Sequence, residues 1–218
     1  MKAPLLIVAH GHGQDVDDPN KGLDKLIARI KDVHNIEVWE YEWDSDYKLA
    51  AANIIRNNGR SLIGIAYSWG NPWLVWLMDR VFSKAQLQFG MVFHIGPVSR
   101  QPGFPYSIRQ LGALLQIGAF KTSAGARRVH SFRQVNDRPA EKVVIAPTLN
   151  THVHKQFTFG TVKNLEKYSG KAGVCKKKQY PTRDIVDNEI GHATIDDCQL
   201  VHDHVCGKLK MHLMSPME

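Results

Sequence analysis

The sequence predicts an α/β fold, with a mostly parallel central sheet and helices on both faces. In the first half of the chain, short apolar runs alternate with amphipathic stretches, which is the pattern of βα units. The length of 218 residues favours a single domain spanning residues 1–218. With 43% hydrophobic and 22% charged residues the composition is ordinary for a globular protein, which excludes disordered, collagen-like and coiled-coil chains.

The first βα unit begins almost at once. Residues 5–9 are apolar without alternation, which predicts a strand buried on both faces. A tight His-Gly-His-Gly loop follows at residues 10–13. Asp18 can cap a helix whose first residue is Pro19. The apolar positions of that helix fall on one stripe that can pack on the sheet: Leu23, Leu26, Ile27 and Ile30.

The second unit has the same form. Residues 36–43 predict a strand, and residues 44–46 (Asp-Ser-Asp) offer N-cap candidates for the next helix, which Gly59 closes. The predicted helix carries Leu49, Ala50, Asn53 and Ile54.

The third unit holds the most informative serine. The apolar run at residues 62–66 predicts a buried strand, and Ser68 stands just beyond it. Pro72 suits the start of a helix that is apolar over most of its circumference, as burial under a sheet requires. Residues 89–95 predict the next strand.

Beyond residue 100 the pattern is looser. Strands are expected at residues 129–135, 143–146 and 184–190, and a short amphipathic helix at residues 108–117, while residues 147–182 carry no clear pattern. After a turn at residues 191–193, Thr194 and Asp197 resemble a capping box that starts a final helix through about Met211.

Ser68 lies in the pattern Ala66-x-Ser68-x-Gly70. A serine on a sharp turn between a strand and a helix has its hydroxyl pushed out of the sheet, and small residues two positions before and after it relieve the crowding. The alternative interpretation is a serine that only turns the chain.

The turn at Ser68, between a buried strand and an apolar helix, resembles the nucleophile elbow of the α/β-hydrolase superfamily, in particular of its small lipase-like and esterase-like members. The resemblance covers most of residues 3–100 and returns at residues 184–212. It implies an α/β-hydrolase-like fold, with Ser68 as nucleophile and His192, in the turn before the last helix, as base. The His-Gly loop resembles the lipase loop, which implies the backbone N–H groups of His12 and Trp69 as oxyanion donors.

The acid of a catalytic triad is less plainly marked. One large branch of lipases carries Asp-Pro after the strand that follows the nucleophile helix, but this chain has Gly96-Pro97 there. Asp137, shortly after the 129–135 strand, is the expected substitute, and Asp184 and Asp187 are weaker choices. Asp137 as a plain loop carboxylate is the alternative.

The other histidines and the cysteines do not predict a metal site. Neither His152-x-His154 nor the set Cys198, His202 and Cys206 has a recognised four-ligand spacing, so packing or surface roles are expected and no metal or other cofactor is predicted. His94 lies inside an apolar strand and is expected to be a hydrogen-bonded core histidine. The histidines of the final helix are expected to be mostly surface groups: His202, His204 and His212.

Charge and hydropathy limit the partners. The 28 basic and 21 acidic residues are unevenly placed, and the lysine-rich stretch at residues 163–178 has no interleaved stacking aromatics. We therefore expect a solvated loop and no nucleic acid. No apolar run approaches the roughly 18 residues needed to cross a bilayer, so a cytoplasmic protein is expected, with secretion of a trimmed chain as the alternative.

The sequence thus predicts a serine hydrolase that cleaves a small-molecule carboxylic ester through an acyl-enzyme. Trp69, Trp73, Trp76 and the 104–117 segment suggest an apolar acyl site, although core filling is favoured for Trp73 and Trp76. Two alternatives remain at this point: an inactive hydrolase scaffold used for binding or assembly, and thioester or amide cleavage on the same site.

Overall fold

The computed structural model describes residues 2–12, 22–57, 59–98, 120–137, 141, 144–145, 152–169 and 182–214. The strands are β1 (Leu5–Ala9), β2 (Glu37–Tyr41), β3 (Leu62–Tyr67), β4 (Phe89–Ile95), β5 (Phe120–Lys121), β6 (Ala126–Gln134), β7 (Val144–Ile145), β8 (His152–Gly160) and β9 (Thr182–Val186). The α-helices are α1 (Gly22–Val33), α2 (Tyr47–Arg56), α3 (Gly70–Ala85), α4 (Val162–Ser169) and α5 (Gln199–Met214), and a 3₁₀ turn spans Ile195–Asp197.

Seven strands form one parallel sheet. Their order is β2-β1-β3-β4-β6-β8-β9, and every pair of neighbours is parallel. The short strands β5 and β7 pair with each other as a separate parallel ribbon. The predicted α/β class, a mostly parallel central sheet with helices on both faces, is therefore confirmed.

Helices cover both faces of this sheet. Alternate residues of each strand point to opposite faces, so Leu5 and Ile7 pack with α2 and α3 in one apolar cluster. Leu6 and Val8 pack with α1 and α5 in another. Burial on both faces explains why the inner strands are apolar without alternation.

Several predicted elements match closely, and others need correction. The strand at residues 89–95 has the expected bounds, and Asp46 is the N-cap of α2, accepting hydrogen bonds from the backbone N–H groups of Lys48 and Leu49. Leu49 lies on α2, as predicted, and is 60% exposed. Asp18, Pro19 and the 104–117 segment lie outside the described residues.

The C-terminal elements differ most from expectation. β8, in the stretch that carries no clear sequence pattern, is an inner strand between β6 and β9. Thr194 does not cap the final helix with its side chain; a 3₁₀ turn intervenes, and the Thr194 hydroxyl accepts from the N–H of Gly191 instead. His202 and His204 are not surface groups, since His202 is 5% exposed and the His204 ring packs on Phe157.

Within the described part of the chain, none of the helices has both the length and the apolar character needed to span a membrane.

Candidate active site

Ser68 occupies a strained turn between β3 and α3. Its φ of 50° lies in the left-handed region that residues with a side chain rarely adopt. Its backbone N–H donates to the carbonyl of Ile95 over 3.0 Å, which holds the turn in place. Strain of this kind persists only where surrounding contacts enforce it, and it is concentrated at functional sites.

Glycines on both sides let the chain pack closely around this serine. A Cβ atom on Gly70 would lie 2.2 Å from the carbonyl oxygen of Ala9, and one on Gly11 would lie 2.9 Å from the Cβ of Ser68. Both positions therefore exclude any larger residue. The small residue that the motif requires after the serine is thus explained by the approach of α3 to the end of β1.

His192 lies beside the serine hydroxyl, although 124 positions separate the two residues. Its Nε2 is 2.8 Å from Ser68 Oγ, within hydrogen-bond distance. The side chain of His192 is 18% exposed, so the imidazole is largely shielded but still reachable from solvent. The two residues that the sequence named as nucleophile and base are adjacent.

The other imidazole nitrogen faces a residue that the sequence analysis did not select. His192 Nδ1 lies 2.7 Å from Oε1 of Glu141, whose side chain is fully buried. The second carboxylate oxygen of Glu141 accepts from the backbone N–H of Gln134 over 2.5 Å. Both oxygens of this buried carboxylate therefore have partners.

Gly96 is the reason that Glu141 fits. It has a φ of 54°, and a Cβ atom there would lie 2.9 Å from Oε1 of Glu141. The carboxylate thus occupies the space that a side chain at position 96 would need. The missing acid at Gly96 and the presence of Glu141 are two aspects of one packing arrangement.

The expectation that Asp137 orients the imidazole is not met. Both carboxylate oxygens of Asp137 instead accept from the backbone N–H of His192, over 2.9 and 3.1 Å. Asp137 therefore holds the backbone of the loop that carries His192 (the histidine loop, residues 187–194) and does not orient the imidazole ring. The physical reason is that the short Asp137 side chain meets the loop at residues 191–192, where a Cβ on Gly191 would lie 2.3 Å from its Oδ2.

Glu141 and Asp137 belong to the same loop after β6, only 7 and 3 positions from Gln134. Their positions in the sequence therefore do not show which of the two is the acid of the triad. The sequence indicates only that an acidic residue lies in this loop, and the choice depends on which side chain reaches the space beside Gly96.

The pKa values of the pair are coupled. Burial raises the pKa of Glu141 to about 7, against the opposing effect of its hydrogen bond with His192. Burial alone would lower the pKa of His192, but the hydrogen bond and the charge of Glu141 raise it above its ordinary value on balance. The carboxylate therefore stabilises the imidazolium that forms when His192 takes up a proton.

Asn136 ties the histidine loop to the sheet. Its side-chain amide donates to the carbonyls of Asp187 and Ile190, over 2.7 and 2.9 Å. Its Oδ1 accepts from the N–H of Thr161, just after β8. The loop that carries His192 is thus held by consecutive residues, Asn136 and Asp137, at the end of β6.

Tyr67 supports His192 from the other side. Its hydroxyl donates to the carbonyl of His192, and its ring is stacked on the imidazole with centroids 5.5 Å apart. Burial raises the pKa of the Tyr67 hydroxyl, so it remains a neutral donor.

A buried polar chain supports the serine turn from beneath. The amide of Asn71 donates to the carbonyls of Ser68 and Ile95, over 3.0 and 2.9 Å. Its Oδ1 lies 2.8 Å from His94 Nδ1, and His94 Nε2 lies 2.9 Å from the Thr122 hydroxyl. His94 is therefore the hydrogen-bonded core histidine that its apolar strand predicted.

His12 and Trp69, the expected oxyanion donors, lie next to each other. The two rings meet edge to face with centroids 5.4 Å apart. His12 follows the end of β1, and Trp69 directly follows Ser68 at the end of β3, the strand beside β1. The geometry brings both backbone segments to the serine; their role as donors remains a proposal.

Of the tryptophans expected at the acyl site, Trp69 contacts His12 in the loop after β1. Trp73 is 1% exposed and donates to the carbonyl of Ser45, which is a core position. The Trp76 ring packs near Tyr47 of α2, with centroids 5.9 Å apart.

In the described residues one group has the composition of a metal site. The ligand atoms of His10, Asp24 and Glu40 lie within 4.8 Å of one another. Glu40 already pairs with His10 over 3.3 Å and with Lys31 over 3.2 Å. These contacts give His10 and Glu40 protein partners within the cluster.

No protein-family model matches the chain, and no curated protein is significantly similar to it in sequence. Among solved structures, it is similar to the Vlm2 thioesterase domain with genetically encoded 2,3-diaminopropionic acid, bound with a dodecadepsipeptide. The likeness covers 99% of this chain and 95% of that chain, with 11% identity and a TM-score of 0.47. At this level of similarity the functional argument depends on the geometry of the site.

Proposed function

We propose that the protein is a serine hydrolase that cleaves a carboxylic ester through an acyl-enzyme, with Ser68 as nucleophile, His192 as base and Glu141 as the orienting acid. The observation that carries the proposal is the continuous chain of short contacts: 2.8 Å from Ser68 Oγ to His192 Nε2 and 2.7 Å from His192 Nδ1 to Glu141 Oε1. A nucleophile, a base and a third group that orients the base are the signature of an activated serine.

In the first half of the reaction, Ser68 Oγ attacks the ester carbonyl carbon while its proton passes to His192 Nε2. The negative charge moves to the carbonyl oxygen, where the backbone N–H groups of His12 and Trp69 are the proposed donors. The tetrahedral intermediate then expels the alcohol, which takes the proton from Nε2. The ester acyl group remains on Ser68.

In the second half, a water molecule gives a proton to His192 Nε2 and attacks the acyl carbon. Collapse of this second intermediate returns the proton to Ser68 Oγ and releases the carboxylic acid. Glu141 keeps the Nδ1 proton in place throughout and stabilises the imidazolium, without itself taking that proton.

Burial and charge favour this division of roles. The two oxygens of the fully buried Glu141 carboxylate lie at the imidazole and at the Gln134 N–H. The serine is 5% exposed and stands at the carboxyl end of β3, the edge where active sites of parallel sheets form. The same chemistry would serve a thioester, so the ester is the proposed substrate and the thioester is a comparison substrate in the test.

The proposal is tested with a fluorophosphonate probe and intact-mass measurement. We expect the native protein to gain one probe adduct and to hydrolyse short p-nitrophenyl esters, because an activated serine is phosphonylated where ordinary serines are not. Ser68→Ala should lose both properties. Ser83→Ala, which changes an exposed serine of α3, is the matched control and should retain both.

Labelling of Ser68→Ala equal to that of the native protein would refute Ser68 as the nucleophile. Absence of labelling and of turnover in the native protein would favour an inactive scaffold. Parallel assays with an oxygen ester and a thioester of the same acyl group then measure which of the two is preferred.

A further inference from the structure

Three aromatic rings from different strands meet beside the proposed nucleophile. They belong to His12, Trp43 and Trp69, which follow the ends of β1, β2 and β3. These strands are neighbours in the order β2-β1-β3. The carboxyl ends of adjacent parallel strands are where α/β proteins bind ligands.

The rings are arranged as a right-angled corner. His12 is stacked on Trp43 with centroids 5.2 Å apart and planes 13° from parallel. Trp69 stands across both, at 89° to His12 and 79° to Trp43, with centroids 5.4 and 5.2 Å away. An added planar ring could stack on one wall of such a corner while meeting the other edge to face, the two arrangements that aromatic pairs prefer.

The three rings are not core filling. His12 is exposed, and Trp43 and Trp69 are partly exposed. Trp73, in contrast, is buried and stacks on Tyr41 at 4.9 Å. The three rings thus differ from Trp73 in their position at the protein surface beside the proposed nucleophile.

Position relative to the chemistry makes the corner a substrate site. Trp69 is the residue after Ser68, and both Trp69 and His12 carry backbone groups of the proposed oxyanion hole. A substrate whose carbonyl oxygen reaches those N–H groups therefore lies next to the two residues that carry these rings.

We infer that His12, Trp43 and Trp69 bind a planar aromatic group of the substrate, so that the enzyme prefers esters with an aryl group close to the scissile bond over straight-chain alkyl esters. This inference rests on the proposed function and names its substrate class. It replaces the general expectation of an apolar acyl site with a flat one, because the corner is built from ring faces and edges and not from aliphatic side chains.

The test compares esters matched in carbon number. Methyl phenylpropanoate is paired with methyl nonanoate for an aryl group on the acyl side, and benzyl acetate with heptyl acetate for one on the alcohol side. The ratio of kcat/KM for the aryl and alkyl members of each pair is measured by titrating the released acid. We expect the native enzyme to favour the aryl member of at least one pair.

Trp43→Leu removes one wall without altering a residue of the proposed oxyanion hole. We expect the aryl-to-alkyl ratio to fall about fivefold, the effect of losing one aromatic contact. Trp76→Leu is the matched control, since it makes the same change at a tryptophan that contacts Tyr47 of α2, and its ratio should equal that of the native enzyme. A native preference for both alkyl members, or equal ratios in all three proteins, would overturn the inference.

A second measurement needs no turnover. In Ser68→Ala, the indole N–H signals of Trp43 and Trp69 should shift in NMR spectra on addition of the aryl esters and stay in place with the alkyl esters. Shifts with both classes, or with neither, would contradict the aromatic site. Because the probe labelling of Ser68 is measured separately, failure of the hydrolase proposal and failure of the aromatic site are distinguishable.

Discussion

Two acidic side chains from one loop contact the same histidine in different ways. Glu141 meets the Nδ1 of His192 at 2.7 Å, whereas Asp137 accepts from the His192 backbone N–H at 2.9 and 3.1 Å. The contact of Glu141 with the ring determines the tautomer and the charge of the imidazole. The contact of Asp137 with the backbone determines the position of the imidazole. Mutations of the two residues should therefore differ in size and in kind.

We expect Glu141→Gln to lower ester turnover by about 10⁴-fold, because the amide leaves the imidazole without a charged partner and favours the wrong tautomer. Asp137→Asn retains an oxygen that can accept from the His192 N–H, so it should lower turnover by less than about tenfold. Both variants are compared with the native enzyme by kcat and by circular dichroism. A larger loss in Asp137→Asn than in Glu141→Gln would reverse the assignment.

The pH profile gives a second measure of the same pair. His192 must be neutral to accept the serine proton, so activity should fall as the pH drops through its pKa. Because Glu141 raises that pKa, the residual activity of Glu141→Gln should persist to lower pH than that of the native enzyme. An acidic limb at the same pH in both proteins would show that Glu141 does not set the pKa of His192.

At the scale of elements, the site is assembled where strands end. β3 carries Ser68, the loop after β6 carries Glu141, and the loop after β9 carries His192. β4 contributes through an absence, since Gly96 leaves room for the carboxylate. Parallel pairing brings the carboxyl ends of these strands to one edge of the sheet, so short segments beyond the strand ends are enough to bring residues far apart in the chain into contact.

Gly96→Ala tests the contribution of β4. The substitution adds a methyl group against Glu141 and places alanine at positive φ, which costs roughly 1 kcal/mol or more. Gly59→Ala is the matched control, because Gly59 also has a positive φ, 84°, but nothing lies within 4 Å of its added Cβ. We expect both variants to lose stability in urea unfolding, and Gly96→Ala alone to lose at least about tenfold in kcat. Equal kcat in the two variants would refute the role of the space at Gly96.

At the scale of the whole molecule, the sheet holds buried histidines as neutral groups. Burial lowers the pKa of His94 to about 3, and burial with the nearby charges of Lys208 and Lys155 lowers that of His204 to about 4. The His204 ring packs among Phe132, Phe157 and His130 between the sheet and α5. The folded state therefore resists protonation at positions where the unfolded chain accepts it.

We expect the free energy of unfolding to decrease as the pH falls below about 6.5, the ordinary histidine value. Below that pH the unfolded chain binds protons that the folded chain excludes, and His94 contributes up to about 1.4 kcal/mol per pH unit. Glu141 acts in the opposite direction between pH 7 and its ordinary pKa, because burial raises its pKa to about 7 and the folded state then binds a proton that the unfolded chain does not. His192, with its raised pKa, changes the stability only above pH 6.5. Urea unfolding at several pH values measures the slope. His94→Gln should flatten the slope, because it removes the histidine whose pKa is lowered to about 3; an unchanged slope in His94→Gln would contradict this account.

The sequence by itself determined the alternation of strands and helices, the strained turn at Ser68 and the choice of His192. Each depends on local properties: apolar periodicity, small residues around a turn, and a position between two regular elements. The same local logic failed for the cap expected at Thr194, where neighbouring contacts outweighed the pattern.

Only the tertiary structure decided which acid faces the imidazole, that Trp43 meets His12 and Trp69, and that β8 lies inside the sheet. Glu141 and Asp137 are equivalent in sequence, since both are acidic and both follow β6. They differ in which space each can enter, and that space is defined by Gly96 and Gly191 on other parts of the chain. Shape complementarity between distant segments is a property of packing, and a linear pattern does not contain it.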